Sequence, residues 1–579
     1  MTEETGGRRH GRGNRFGLVL GAVLALALAA PLAVAGGATA TPGVASTATT
    51  VAAAGPRKVT EDKRPNIVVV MADDMRADDL RFAPNIRRIL GQGGVTFENA
   101  FSPFPLCCPA RASFLTGVYA HNHGVYWHGA PYGYGSFDDS RTIATSLSEA
   151  GYRTGFIGKY LNGYGKDASK VTGEPSYLYV PNGWTDWRAS FTNPGVPGIH
   201  GGTYNYFDSP YNVNGKVDNR YKGQYQTDVL GTFSVRMARR FAASPNPFFM
   251  FVSYVAPHHG TPFEHDDPRQ RTDVDGTYDG YSTPARPRWV KGMFDKVVKR
   301  GAGIAPGSRS GELDVSDKPS FFRARKDFTA GQLAALAEVT RQRAEAIYVV
   351  DQQVARLVKV LTKKGEWDDT VLVFTSDNGY FLGEHRQPSG KVRAHEPSLR
   401  VPFLVTGPGM RSGQKRYDPI STVDVTATIL DIANAAPPLT PDGTSRLRTI
   451  RRGDQGWTAP VVTEAVYTVG GQRVAPGFVD GDARDSVGLR TPRYSFTLYD
   501  NGEGELYDLR TDPAQMENRF GDPAYAAVQE QLTETWWQYK DCVGAECRTA
   551  MDPALRQSVQ QTKRTTRGYW AAVSKLYGR

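Results

Sequence analysis

The chain reads as an α/β protein with a smaller C-terminal α+β subdomain, and two patterns predict this. Asn66-Ile67-Val68-Val69-Val70-Met71 is a short, continuous apolar run rich in β-branched residues, as expected of a strand buried on both faces. Similar runs recur at 154–158, 247–254, 370–375 and 401–405, separated by helical stretches such as 330–363. Strands that alternate with helices build a sheet covered by helices. After about Ile450 the pattern changes to shorter strand-like segments at 493–499 and 505–509, followed by a helical stretch over 523–539. The 579 residues are 40% hydrophobic and 22% charged, enough for a large core and more than one structural unit.

In chain order, the first segment reads as an export signal over 1–36. A basic stretch runs through Arg15, an apolar run extends from Phe16 to about Ala35, and small residues including Ala33-Val34-Ala35 precede Gly36-Gly37. Arg8-Arg9 lies too far ahead of the apolar run for a twin-arginine signal, so the general export route is expected and the mature protein is expected to be secreted or extracytoplasmic. Retention of the apolar run would instead make it a membrane anchor. Residues 37–63, rich in Ala, Thr, Gly and Pro without hydrophobic period, read as a disordered linker. The catalytic domain is then expected over 64–450 and the C-terminal subdomain over 451–579.

The net charge of +10 is mild for this length. It suits an acidic substrate or simply a solvated basic surface, and no Lys/Arg block with interleaved aromatics points to nucleic acid. Of four cysteines, Cys107 and Cys108 are adjacent, whereas Cys542 and Cys547 are spaced to close a small disulfide loop in an oxidising compartment.

Ligands of open α/β sheets gather beyond the carboxyl ends of strands, and the chemistry-bearing residues follow such ends. Asp73-Asp74 follows one strand, Lys159 a second, His258 a third, and Asp377-Asn378 a fourth. Taken alone, Asp73-Asp74 reads as a helix cap and Asp377-Asn378-Gly379 as a turn. Taken together, three carboxylates and an amide oxygen suit a hard divalent cation. Pro109 favours a helix starting there, which sets Cys107 beside unpaired N–H groups at a positive dipole end, with Arg111 one turn on.

The run Leu106-Cys107-Cys108-Pro109-Ala110-Arg111-Ala112-Ser113-Phe114-Leu115-Thr116-Gly117 resembles the C-x-P-x-R signature of type I sulfatases. Gly158-Lys159-Tyr160-Leu161-Asn162, Ala256-Pro257-His258 and Gly390-Lys391 follow in the order of that family, and together with Tyr204-Asn205-Tyr206 and 225–230 they look most like its N-acetylglucosamine-6-sulfatase and bacterial arylsulfatase branch. The resemblance implies an alkaline-phosphatase-like mixed sheet flanked by helices. It also implies that Cys107 is converted to formylglycine by a formylglycine-generating enzyme, and that Asp73, Asp74, Asp377, Asn378 and the converted Cys107 bind one Ca2+. Arg111, Lys159, His258 and Lys391 would then hold sulfate oxygens and assist the leaving group. The implied function is hydrolysis of sulfate monoesters of a sugar or aryl alcohol. The alternatives are hydrolysis of phosphonate monoesters or phosphodiesters, or noncatalytic binding of sulfated glycans.

One departure stands out. Many members carry Gly-Lys-Trp-His, whose histidine is assigned as the base for sulfate release, and the aligned residue here is Leu161. Asn162, His385, His395, His259 and the His121-Asn122-His123 run are candidates to stand near the site, each with a structural alternative. Loops 127–137 and 183–214 carry Trp127, Tyr132, Trp184, Trp187 and Tyr204, which either stack on a substrate ring or pack in the core.

Overall fold

The computed structural model describes residues 62, 64–269, 280–466, 477–479 and 482–578. The expected signal over 1–36 and nearly all of the expected linker lie outside the described residues. Among the described residues no helix is long and apolar enough to cross a membrane.

Among the described residues, ten strands form the large sheet: β1 (Asn66–Ala72), β2 (Val95–Phe101), β3 (Arg153–Lys159), β4 (Asp186–Ser190), β5 (Tyr211–Val213), β6 (Lys216–Asp218), β7 (Phe248–Ser253), β8 (Thr370–Ser376), β9 (Phe403–Thr406) and β10 (Gln414–Ser421). Their order is β10-β2-β9-β8-β1-β7-β3-β4-β5-β6. The strands β8, β1, β7, β3 and β4 run parallel, while β9, β5 and β6 add antiparallel pairings, so the sheet is mixed. The expected run 401–405 contributes β9, which begins at Phe403.

Continuous apolar runs fit the central strands because both faces are covered. Val68 and Val70 of β1 join one buried layer with Met250, Val252, Leu372 and Phe374, against helices α2 (Gln226–Phe241) and α3 (Ala330–Lys364). Ile67, Val69 and Met71 join the opposite layer with Phe249, Phe251, Val371 and Val373, against α1 (Cys107–Thr116) and α4 (Thr422–Ala433). The long helix α3 starts at a capping box between Thr329 and Gln332 and stops where Gly365 turns left-handed at φ 77°.

A second, antiparallel sheet has the order β11 (Val461–Ala465), β12 (Ser486–Arg490), β13 (Tyr494–Tyr499) and β14 (Gly504–Asp508). Helix α5 (Ala526–Tyr539) covers it, with Trp536 Nε1 donating to the Val487 carbonyl at 2.9 Å. Cys542 and Cys547 form the expected disulfide. The last helix, α6 (Val559–Tyr577), returns to the edge of the large sheet, where Asn99 Nδ2 donates to Thr566 Oγ1 at 2.8 Å and Trp570 Nε1 to the Glu98 carbonyl at 3.2 Å. Arg400 joins these parts. It pairs with Glu396 at 2.6 Å and stacks 4.2 Å from the Tyr569 ring, while Arg490 of β12 takes the other Glu396 oxygen at 2.6 Å.

Gly158, next to last in β3, sits at φ 101°, and a Cβ there would meet the Ser253 carbonyl oxygen of β7 at 1.9 Å. Left-handed strain and a backbone clash therefore combine at the residue that precedes Lys159. Gly158→Ala is expected to lower stability by about 3 kcal/mol, read as a lowered urea midpoint. An unchanged midpoint would contradict this packing.

Candidate active site

The parallel register brings four strand ends to one level: Ala72 lies beside Ser376, Met71 beside Ser253, and Ser253 beside Gly158. The residues that follow them meet in one buried cluster. Lys159 Nζ lies 2.5 Å from Asp73 Oδ2, and Lys391 Nζ pairs with Asp74 Oδ1. Arg111 Nε lies 2.8 Å from Asp377 Oδ2, with its Nη2 3.5 Å from Asp73 Oδ2. Arg111 Nη1 also donates to the Lys159 carbonyl at 2.8 Å and to Ser253 Oγ at 2.6 Å. His258 Nε2 stands 3.7 Å from Asp74 Oδ2. Its Nδ1 lies 2.7 Å from the His259 carbonyl, which only accepts, so Nδ1 carries the hydrogen.

Cys107 stands at the centre. Its Sγ lies 3.2 Å from Asp73 Oδ1 and receives a hydrogen bond from Lys391 Nζ at 2.7 Å. Helix α1 begins at Cys107, two residues earlier than Pro109 was expected to open it. Pro109 is tolerated in the third position because the first four N–H groups of a helix have no intrahelical acceptor. The correction places residue 107 in the first turn, nearer the positive dipole end. Cys108 diverges: its Sγ approaches the Asn162 carbonyl at 3.8 Å, within the buried layer.

Electrostatics favour the ionised forms of Asp73, Asp74, Lys159 and Lys391. Burial works against charge on Asp73 and Asp74, yet Lys159 beside the first and Lys391 beside the second keep both carboxyls well below the usual range. Burial likewise opposes the charge of Lys159 and Lys391, and the same carboxylates outweigh it, pushing both ammoniums up. Burial pushes His258 down despite Asp74 and Asp73. Burial and Asp73 push the Cys107 thiol far up, so the side chain as encoded is a thiol, a poor nucleophile.

The oxygen donors fit a hard divalent cation. Asp74 Oδ2 and Asn378 Oδ1 are buried without a hydrogen-bond partner. Asn378 Nδ2 donates to Asp74 Oδ1 at 2.7 Å and to the Gly379 carbonyl at 2.8 Å, which fixes its oxygen as the remaining ligand atom. One atom each from Asp73, Asp74, Cys107 and His258 lies within 4.8 Å of the others. Asp74 sits at φ 65°, an unusual conformation for a non-glycine residue, held by its N–H to Asp377 Oδ1 at 3.0 Å and by Arg343 of α3 on its carbonyl. Neither Arg343 nor Ser253 is marked by any sequence motif.

Above the cluster opens a cavity of about 670 Å³, lined by Asp74, Trp127, Tyr204, His258, His259 and Lys391 among others. The other candidates divide. The Tyr204 ring lies 4.7 Å from the His258 ring, tilted by 33°, whereas Trp184 and Trp187 pack in the core on Phe156. Tyr132 packs on Tyr126. His385 pairs with Glu312 at 2.7 Å and His395 with Glu505 at 3.1 Å, while His121 pairs with Glu464 at 2.8 Å and His123 with Ser113 at 2.9 Å. All four hold other parts of the fold. Leu161 is 3% exposed in the apolar layer. His128, absent from the sequence-based set, also lines the cavity. Its only signal was membership of the loop singled out for Trp127.

Residues 65–435 match the sulfatase family, and 383–541 match the C-terminal region of N-sulphoglucosamine sulphohydrolase. The chain is 30% identical over 524 residues to an arylsulfatase of Volvox carteri, covering 84% of this chain and 76% of the relative. It is 30% identical over 535 residues to an N-acetylglucosamine-6-sulfatase of Capra hircus, covering 85% and 87%. The solved structure of a protein in complex with its substrate D-glucosamine-2-N,6-O-disulfate superposes with a TM-score of 0.61 at 21% identity, covering 83% of this chain and 99% of that one. The architecture is the alkaline-phosphatase-like fold of such neighbours. With the family matched across the whole cluster from Asp73 to Lys391, this chain belongs to the sulfatase family, the hydrolases of sulfuric esters.

Proposed function

We propose that the protein is an exported, calcium-dependent sulfatase that cleaves sulfate monoesters of a sugar or aryl alcohol, using a formylglycine made from Cys107. The reading divides it into a catalytic domain over 64–450 and a C-terminal subdomain over 451–579, after a signal segment. The observation that carries it is the setting of Cys107 in the first turn of a helix, with its Sγ 3.2 Å from Asp73 Oδ1 and 2.7 Å from Lys391 Nζ, within a cluster of three carboxylates and three cations. A helix N-terminus and fixed cations stabilise negative charge on residue 107 and on a sulfate beside it, and the adjoining carboxylates suit a metal that activates an oxygen nucleophile.

Asp73, Asp74, Asp377 and Asn378, with residue 107, would hold the calcium, whose charge lowers the pKa of bound oxygen, and formylglycine supplies a hydrated aldehyde as the oxygen nucleophile toward sulfur. The three carboxylates balance Arg111, Lys159 and Lys391, so a divalent ion leaves an excess of positive charge that attracts a sulfate monoester. Arg111, Lys159 and Lys391 bind its oxygens. Lys391 holds a proton at Nζ, and protonated His258 would hold one at Nε2, for the departing alcohol oxygen. In the ligand-free chain burial pushes His258 toward its neutral form, while Asp74 pushes Lys391 up so that it keeps its proton but releases it less readily. Relatives named arylsulfatase and N-acetylglucosamine-6-sulfatase support both substrate classes. The modifying enzyme is the partner this reading requires.

Cys107→Ala or Cys107→Ser is expected to reduce multiple-turnover cleavage of 4-nitrophenyl sulfate by about 10³-fold or more. Cys108→Ala is expected to stay within about tenfold; the reverse ranking would move the nucleophile to the neighbouring residue. Chelation is expected to remove activity, with Ca2+ restoring more of it than Mg2+, and recovery by Mg2+ alone would contradict the metal assignment. A large preference for an aryl phosphodiester over an aryl sulfate would replace this reading by phosphoester hydrolysis.

A further inference from the structure

The cavity wall above the charged cluster carries two polar groups that the proposed chemistry does not use. Asn162 follows Lys159 by three residues, and one end of its amide is tied to Tyr204, with Nδ2 2.6 Å from the phenol oxygen. The other end, Oδ1, is buried without a hydrogen-bond partner. His128 stands on a tight loop, where the Tyr126 and Trp127 N–H groups both donate to the Tyr132 carbonyl at 2.9 and 3.1 Å. A Cβ on Gly133 would come within 2.7 Å of the His128 carbonyl oxygen, so the loop closes only around glycine. The His128 ring leans on Trp127 at 5.8 Å, and its Nε2 is buried and likewise without a partner. Both residues line the cavity that contains Asp74, His258 and Lys391.

A buried polar atom left unpaired costs roughly 1–3 kcal/mol, and a site built to bond a substrate hydroxyl discriminates against analogues that lack it. The sulfate group offers only acceptors, and the Arg111, Lys159 and Lys391 donors already suit it. A hydroxyl both donates and accepts, so it satisfies Asn162 and His128 in either amide orientation and either imidazole tautomer. We propose that His128 and Asn162 are specificity-determining residues that hydrogen-bond a hydroxyl of the alcohol portion of the ester, beside the sulfate. They would thereby favour esters of polyhydroxylated carbon skeletons over aryl sulfates. This rests on the sulfatase reading of the same site.

The test measures kcat/KM of His128→Gln, His128→Leu, Asn162→Ser and Asn162→Leu on N-acetylglucosamine 6-sulfate and on 4-nitrophenyl sulfate. Each leucine variant is expected to lose roughly tenfold to a hundredfold on the sugar sulfate and to stay within about threefold on the aryl sulfate, and the Gln and Ser variants to lose less. Equal losses on both substrates, or none on either, would overturn the proposal. Calorimetry of N-acetylglucosamine 6-sulfate binding to the Cys107→Ala protein supplies a readout independent of turnover. Weaker binding on adding His128→Gln or Asn162→Ser is expected, and unchanged binding would overturn the proposal. If the unsubstituted enzyme cleaves neither ester, the sulfatase reading fails, while calorimetry still reads these two contacts.

Discussion

The structure turns on a buried exchange of charge at the ends of four parallel strands. Asp73, Asp74 and Asp377 face Arg111, Lys159 and Lys391, all with side chains less than a tenth exposed. Burying any one of these ions alone would cost several kcal/mol. Their mutual pairing, completed by hydrogen bonds such as Arg111 to Ser253 Oγ, makes the cluster tolerable. Removing one partner leaves an uncompensated charge, so the residues that arrange the chemistry also hold the local fold together.

The rest of the molecule keeps that cluster in register. Apolar layers on both faces of the sheet fix the strands, and the parallel pairing of β8, β1, β7 and β3 sets their ends side by side. Helix α3 reaches the site through Arg343, which bonds the Asp74 carbonyl and approaches the Pro257 carbonyl at 3.3 Å, bracing two loops from behind. Helix α1 presents residue 107 at its first turn and Arg111 one turn later. A rigid frame of this kind suits chemistry that depends on placing donors before charge develops.

The central strands were legible because strands buried on both faces must be apolar throughout, and the motif residues followed their ends. The three-residue strands β5 and β6, and the edge strand β10, which contains Pro419, left no such pattern. Helix α6 was equally obscure, since its contacts to β2 depend on Asn99, Thr566 and Trp570 meeting from opposite ends of the chain. At the site, Asp73, Asp74, Cys107, Arg111, Lys159, His258, Asp377, Asn378 and Lys391 could be placed from motif and strand end. His128, Ser253 and Arg343 could not, because each arrives from a segment whose local sequence carries no chemical signature. The histidines of the 121–123 run and His385 and His395 were ambiguous for the opposite reason. Their residue type suits catalysis, and only their pairing with Glu464, Ser113, Glu312 and Glu505 reveals a structural role.

The central claim is that Cys107 is encoded as cysteine but acts as an oxidised, oxygen-bearing side chain. Mass spectrometry of the peptide containing residue 107, taken from protein purified in its active form and treated with an aldehyde-directed hydrazide, tests it most directly. The account predicts a hydrazone at residue 107 and an unmodified thiol at Cys108. A fully active protein in which Cys107 remains a thiol would contradict it.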